Sequence, residues 1–142
     1  MSEMKKNLSD LIKANIDRVK KIITDKEKSV QLIEQALSEI KKALDNKVIF
    51  STTTRVDSDN DTVHYVYVEN QNTQQSEYLF MYYFHQVNIF PLMFNYNGEV
   101  VRRCDDLEEL NETIERLMAS ESFMIKIITI AAFESGEENH DF

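Results

Sequence analysis

MKKNLSDLIKANIDRVKKIITDKEKSVQLIEQALSEIKKALDN, residues 4–46, decides the fold of this chain, because it contains no Gly and no Pro to interrupt a helix. Apolar residues recur in it at three- and four-residue steps, the spacing of one helical face. That face comprises Leu8, Ile12, Val19, Ile22, Val30, Ile33, Leu37, Ile40 and Leu44. A lone amphipathic helix needs a cover for its apolar face, so we expect one from another copy, the rest of the chain, or both.

The sequence leaves open whether this segment is one helix or two. Residues 24–27 have the Thr-x-x-Glu form of a capping box, and residues 24–29 contain no apolar side chain. A stutter in a continuous helix would produce the same pattern. A continuous or gently broken helix is favoured, because no Gly or Pro enforces a turn.

The distribution of charge divides the chain near the place where the helical periodicity ends. Residues 1–50 hold eleven Lys/Arg and eight Asp/Glu, a net of +3, whereas residues 51–142 hold five and seventeen, a net of −12. The length fits one domain plus an extension. We therefore divide the chain into a helical arm (1–46), for which a coiled coil is an open alternative, an α+β body (47–134) and an acidic tail (135–142).

Composition excludes several classes of protein. The net charge of −9 disfavours binding to nucleic acid and to anionic lipid. The single cysteine gives no disulfide framework, and no apolar run reaches the ~20 residues of a membrane span. Without a signal peptide at the N-terminus, we expect a cytoplasmic protein.

The centre of the chain predicts an antiparallel meander. Residues 48–56 and 62–69 form a hairpin around a polar turn at 57–61, and 78–87 is a third strand, apolar on both faces and therefore central. Strands follow at 90–96 and 99–103, joined by the Asn97-Gly98 turn. In the third strand we expect Tyr78, Phe80, Tyr82 and Phe84 on one face, and Leu79, Met81, Tyr83 and Val87 on the other.

The end of the chain predicts one or two helices. Asp105 is a plausible N-cap with Glu108 three residues later, and an apolar face continues to Leu117. Residues 123–133 fit either a buried strand or a helix after a serine cap, and helix is favoured. The fold class is α+β: a long N-terminal amphipathic helix or helical hairpin, an antiparallel sheet of four to five strands, and one or two C-terminal helices.

No set of residues predicts a metal, a cofactor or a catalytic centre. Asp57, Asp59 and Asp61 alternate like calcium ligands, but the positions for the loop Gly and the bidentate Glu hold Thr62 and Val68. A solvated turn is therefore favoured, and His64 and His85 are expected to pack across strands. Cys104 precedes a helix, yet neighbouring acids oppose a thiolate, so we expect it to be a buried small residue.

The aromatic strands and the arm carry the functional expectations. Tyr side chains suit a core, an interface or a pocket. The expected interface or pocket residues are Tyr65, Tyr67, Tyr82, Tyr83, Arg102 and Arg103, and the expected oligomerisation residues are Leu8, Ile12, Val19, Ile22, Val30, Ile33 and Leu37.

Together these features predict a non-enzymatic, homo-oligomeric protein that binds a protein partner through its acidic body. An inhibitor, immunity or anti-defence protein would fit that description, because an acidic surface attracts basic partners. The alternative is a nucleotide- or metabolite-binding protein with a pocket lined by Tyr82, Tyr83 and the two arginines.

Overall fold

The computed structural model describes residues 2–85, 88–96 and 100–134, and all of their side chains except those of 2–6, 100 and 101. The predicted α+β class is confirmed. The elements in chain order are α1 (Ser2–Ala43), β1 (Val48–Val56), β2 (Thr62–Asn70), β3 (Ser76–Tyr83), β4 (Leu92–Tyr96), β5 (Val100–Cys104), α2 (Leu107–Met118) and α3 (Glu121–Ala131). The Asn97-Gly98 turn and the 135–142 tail lie outside the described residues.

The N-terminal segment is one continuous helix of 42 residues. The polar stretch at residues 24–29 does not interrupt it, and two of its hydroxyls bond within the helix: Thr24 donates to the Lys20 carbonyl at 2.9 Å, and Ser29 to the Asp25 carbonyl at 2.8 Å. The helix ends where Asp45 and Asn46 adopt φ of 53° and 61°, values that Asp and Asn tolerate. This reversal turns β1 back along α1.

The five strands pair in chain order, so β3 is central as predicted. All neighbouring pairs are antiparallel. The β1–β2 turn, the β3–β4 connection and the start of α2 therefore lie at one end of the sheet. The strand predicted at 78–87 ends earlier, at Tyr83.

A bulge corrects the predicted facing of β3. The register between β2 and β3 shifts at Val66/Tyr67, so that Val66 pairs with Phe80 but Tyr67 pairs with Tyr78. A bulge changes which side chains share a face. Tyr78 consequently lies beside Tyr65 and Tyr67, with ring centroids 6.2 and 5.9 Å away, rather than beside Phe80.

Both C-terminal helices begin with a capping side chain. The α2 cap is Asp106, whose carboxylate accepts the Glu109 N–H at 2.8 Å. The predicted cap, Asp105, is wrong, and its side chain instead accepts a hydrogen bond from Arg103 Nε at 2.7 Å. The ambiguous 123–133 stretch is mostly helix, capped by Ser120, as favoured from the sequence.

The three helices cover the same face of the sheet. Phe123 of α3 packs on Phe80 and Tyr96, and Cys104 of β5 contacts Thr113 of α2. The second half of α1 contributes Ile33, Leu37 and Ile40 to the same core.

Asn70 fastens the end of α3 to the sheet. Its amide nitrogen donates to the Ile130 and Phe133 carbonyls at 2.8 and 2.9 Å, while its oxygen accepts the N–H groups of Asn72 and Thr73. The residue is 2% exposed, so its side chain satisfies backbone groups that are buried or partly buried.

Candidate interaction surfaces

The first half of α1 projects beyond the body. Lys26 Nζ lies 5.7 Å from the Phe84 ring centroid, at the end of the sheet that holds the β1–β2 turn. Every side chain from Asn7 to Lys21 is exposed. We call residues 2–24 the projecting segment; at 1.5 Å per residue its length is about 35 Å.

The projecting segment carries an uncovered apolar face. The exposed fractions are 59% for Leu8, 68% for Leu11, 52% for Ile12, 47% for Ile16, 40% for Val19 and 53% for Ile23. The apolar face predicted from the sequence omits three of these residues, Leu11, Ile16 and Ile23. They lie at the edges of that face on the helix surface, so a prediction that allowed a wider apolar face would have included them.

The structure divides the expected oligomerisation residues into two groups. Leu8, Ile12 and Val19 belong to the projecting segment, whereas Ile33 and Leu37 are only 3% and 7% exposed inside the body's own core. Ile22, at the inner end of the projecting segment, and Val30, in the following part of the helix, are partly buried against that core. Only the first group is available to another molecule.

A second apolar surface lies on the sheet face opposite the helices. This open face consists of Tyr65, Tyr67, Tyr78, Met81, Tyr83 and Met93, all partly buried. The Arg55 guanidinium lies 6.0 Å from the Tyr65 ring centroid. Burial raises the pKa of Tyr78, with smaller contributions from Tyr65 and Tyr67, so the Tyr78 phenol is neutral at physiological pH.

The expected tyrosine–arginine pocket is not assembled. Tyr82 faces the helices and is 4% exposed, with its ring stacked on His64 at 4.7 Å. Burial, with a smaller contribution from Glu34, raises the pKa of Tyr82 to about 12. Tyr83 lies on the opposite face, and Arg102 and Arg103 alternate in the same way along β5. Tyr65, Tyr67 and Tyr83 therefore share the open face, and Tyr82 does not.

The cluster of aspartates closes a turn. Ligand atoms of Asp57, Asp59 and Asp61 lie within 4.8 Å of one another. Asp57 Oδ1 already accepts the backbone N–H groups of Asp59 and Asp61, both at 2.9 Å. Those bonds account for the residue types at this position, because Asp favours turns by this contact.

Cys104 is buried, as expected. The thiol is 0% exposed and lies 3.4 Å from the Thr113 hydroxyl oxygen. Burial raises the pKa of the thiol, and the opposing effects of Thr113 and Arg102 are smaller. A thiol that is buried and protonated is a poor nucleophile.

An open cleft lies where the projecting segment leaves the body. Its volume is about 280 Å³. Its lining consists of Lys26, Asn60, Thr62, His64, Phe84, His85 and Ile89. Burial, and to a lesser degree the charge of Lys26, lower the pKa of His64, so the imidazole is neutral at physiological pH.

No family model, curated protein or solved structure matches this chain. In the part of the chain that the structure describes, no helix is both long and apolar enough to cross a bilayer. The two uncovered surfaces and the charge of the chain are therefore the features that bear on its function.

Proposed function

We propose that this chain is a non-enzymatic protein-interaction module that self-associates through the projecting segment and binds a second protein with its acidic body. The observation that carries the proposal is the projecting helix, whose six large apolar side chains are 40–68% exposed. A helix with such a face is marginal alone in water and becomes stable when the face is covered.

The apolar face is large enough to matter for association. Fully burying a Val, Leu or Ile side chain stabilises by about 1.5–3 kcal/mol, so covering the exposed half of one contributes roughly 1 kcal/mol. Six side chains in each of two copies then contribute about 10 kcal/mol, against an association cost of about 4–15 kcal/mol. Because the energy gained by burial and the cost of association are comparable, a dimer forms only when the two apolar faces align. One charge within the face is then enough to disrupt it.

Sedimentation of two adjacent variants tests self-association. Ile12→Glu places a charge in the apolar face, and we expect it to weaken the dimer at least about tenfold, or 1.4 kcal/mol. Lys13→Gln makes the same one-unit charge change on the polar face and should leave the dimer intact. A wild-type protein that stays monomeric at all accessible concentrations contradicts the proposal, as does equal weakening by the two variants.

The open face suits the second partner. Tyr, Met and Arg are enriched where protein interfaces are buried, and the open face supplies Tyr and Met beside Arg55. The net charge of −12 outside the projecting segment attracts a basic protein. Inhibitor, immunity and anti-defence proteins are the functions in this class that we propose.

Affinity capture from the native host tests the second interface. Tyr67→Ala, on the open face, should reduce capture of the partner several-fold, because aromatic side chains dominate interface energies. Thr54→Ala, at an exposed position of β1 facing the other way, should capture as well as the wild type. Equal recovery with both variants would place the partner elsewhere.

The open cleft supports small-ligand binding as a competing proposal. Lys26, His64 and His85 line it together with the polar side chains of Asn60 and Thr62, a combination that suits a small anion. A thermal-shift screen of nucleotides and anionic metabolites separates the two proposals. A shift of several degrees that is lost in Lys26→Gln favours the ligand, and no shift with any compound removes it.

A further inference from the structure

The projecting segment and the rest of the chain carry opposite charge. Residues 2–24 hold six Lys/Arg and three Asp/Glu, a net of +3, and residues 25–142 hold ten and twenty-two, a net of −12. The boundary between the two charges is also the point where the helix leaves the body. Each protomer is therefore an elongated electric dipole.

Several acidic side chains of the body lie at the end from which the projecting segment emerges. The β1–β2 turn and the start of α2 are at the same end of the sheet as Lys26, since β5 ends beside the start of β4 and the strands alternate in direction. We call these side chains, all exposed or partly exposed, the acidic rim: Asp57, Asp59, Asp61, Asp105, Asp106 and Glu108.

The two ways of pairing the projecting segments differ in electrostatic energy. A parallel pair places the two acidic bodies and their acidic rims side by side at one end. An antiparallel pair separates the bodies, and the helix end that reaches each rim carries no net charge, because residues 2–12 hold two Lys, one Glu and one Asp. Opposed helix dipoles add to the same preference.

We propose that two copies pair their projecting segments antiparallel, about a two-fold axis near residues 15 and 16. Leu8 and Ile12 of each copy then lie level with Ile23 and Val19 of the other, so the same patch serves both copies, as a two-fold interface requires. This inference rests on the proposed self-association and specifies its geometry.

Spin-label distances test the orientation directly. The labels are attached to Asn7→Cys in a Cys104→Ala background, and the distance between the two copies is measured by pulsed electron paramagnetic resonance. With the axis near residue 15.5 and a rise of 1.5 Å per residue, antiparallel pairing predicts roughly 25–30 Å. Parallel pairing predicts about 10–20 Å, close to the interaxial spacing.

A label at Asp17→Cys provides the matched control. This position is close to the proposed axis, so its distance is short in either orientation and shows that a labelled dimer is present. A short Asp17 distance with a long Asn7 distance is the expected result. Short distances at both positions overturn the antiparallel pairing but leave self-association standing, and a monomer overturns both.

Discussion

The two halves of α1 have the same periodicity and opposite environments. Leu37 in the second half is 7% exposed, and Leu11 in the first half is 68% exposed. The reason is length: a nine-residue strand extends about 30 Å at ~3.3 Å per residue, whereas the 42-residue helix extends about 63 Å. Periodicity therefore identifies the apolar face of a helix, and the size of the sheet decides how much of that face the chain can cover itself.

Proline substitutions are expected to show the largest difference between the two halves of α1. Ala36→Pro interrupts the helix where it packs on the core, so we expect a loss of at least ~3 kcal/mol in the free energy of unfolding, enough to prevent folding of many domains. Ala14→Pro makes the same substitution in the projecting segment. It should lower helical circular dichroism and abolish the dimer while leaving the urea midpoint of the body unchanged; a large loss of body stability would show that the first half also packs on the body.

Substitution of Asn70 tests whether the stability of the body depends only on contacts within the body. Asn70→Ala leaves the Ile130 and Phe133 carbonyls and the adjoining turn without their partner, and each unsatisfied buried group costs about 1–3 kcal/mol. We expect a loss of about 2–4 kcal/mol by urea denaturation. Asn72→Ala, at an exposed neighbouring position, serves as the control, and it should change stability by less than about 0.5 kcal/mol.

The smallest effect is a pH dependence at the junction of the two halves. Burial, and secondarily Lys26, hold the pKa of His64 below its usual 6.5. The unfolded chain therefore binds a proton there more readily than the folded one, so the contribution of His64 is fully present above pH 6.5 and is lost as the pH falls below it. Denaturation of wild type and His64→Gln at pH 7.5 and 5.5 measures the difference, and an equal drop in both excludes His64 as its source.

Features of the two halves that depend on local sequence were predicted, whereas features that depend on contacts across the fold were not. The helix, the 48–69 hairpin and the central position of β3 depend on local sequence pattern and turn composition, and they were predicted. The point where α1 leaves the body was not, because it depends on where Phe84 and Lys26 meet across the fold. The absence of Gly and Pro predicted continuity, and in the continuous helix Thr24 and Ser29 bond to carbonyls of the preceding turn.

The open face was predicted only in part for a similar reason. Tyr65, Tyr67 and Tyr83 were expected at an interface and lie together, but strict alternation assigned Tyr78 to the wrong face. One bulge at Val66/Tyr67 reverses that assignment, and no Gly marks it in the sequence. The choice of Asp106 over Asp105 as cap is similarly fixed in three dimensions, since Arg103 engages Asp105.

Hydrogen exchange along α1 tests the central claim most directly. We expect amides of residues 33–43 to be protected at every protein concentration, because they belong to the core. Amides of residues 8–23 should exchange rapidly in dilute solution and become protected as concentration rises, because a second copy covers them. Strong protection of residues 8–23 in the dilute monomer, or exchange there that does not depend on concentration, would contradict the account.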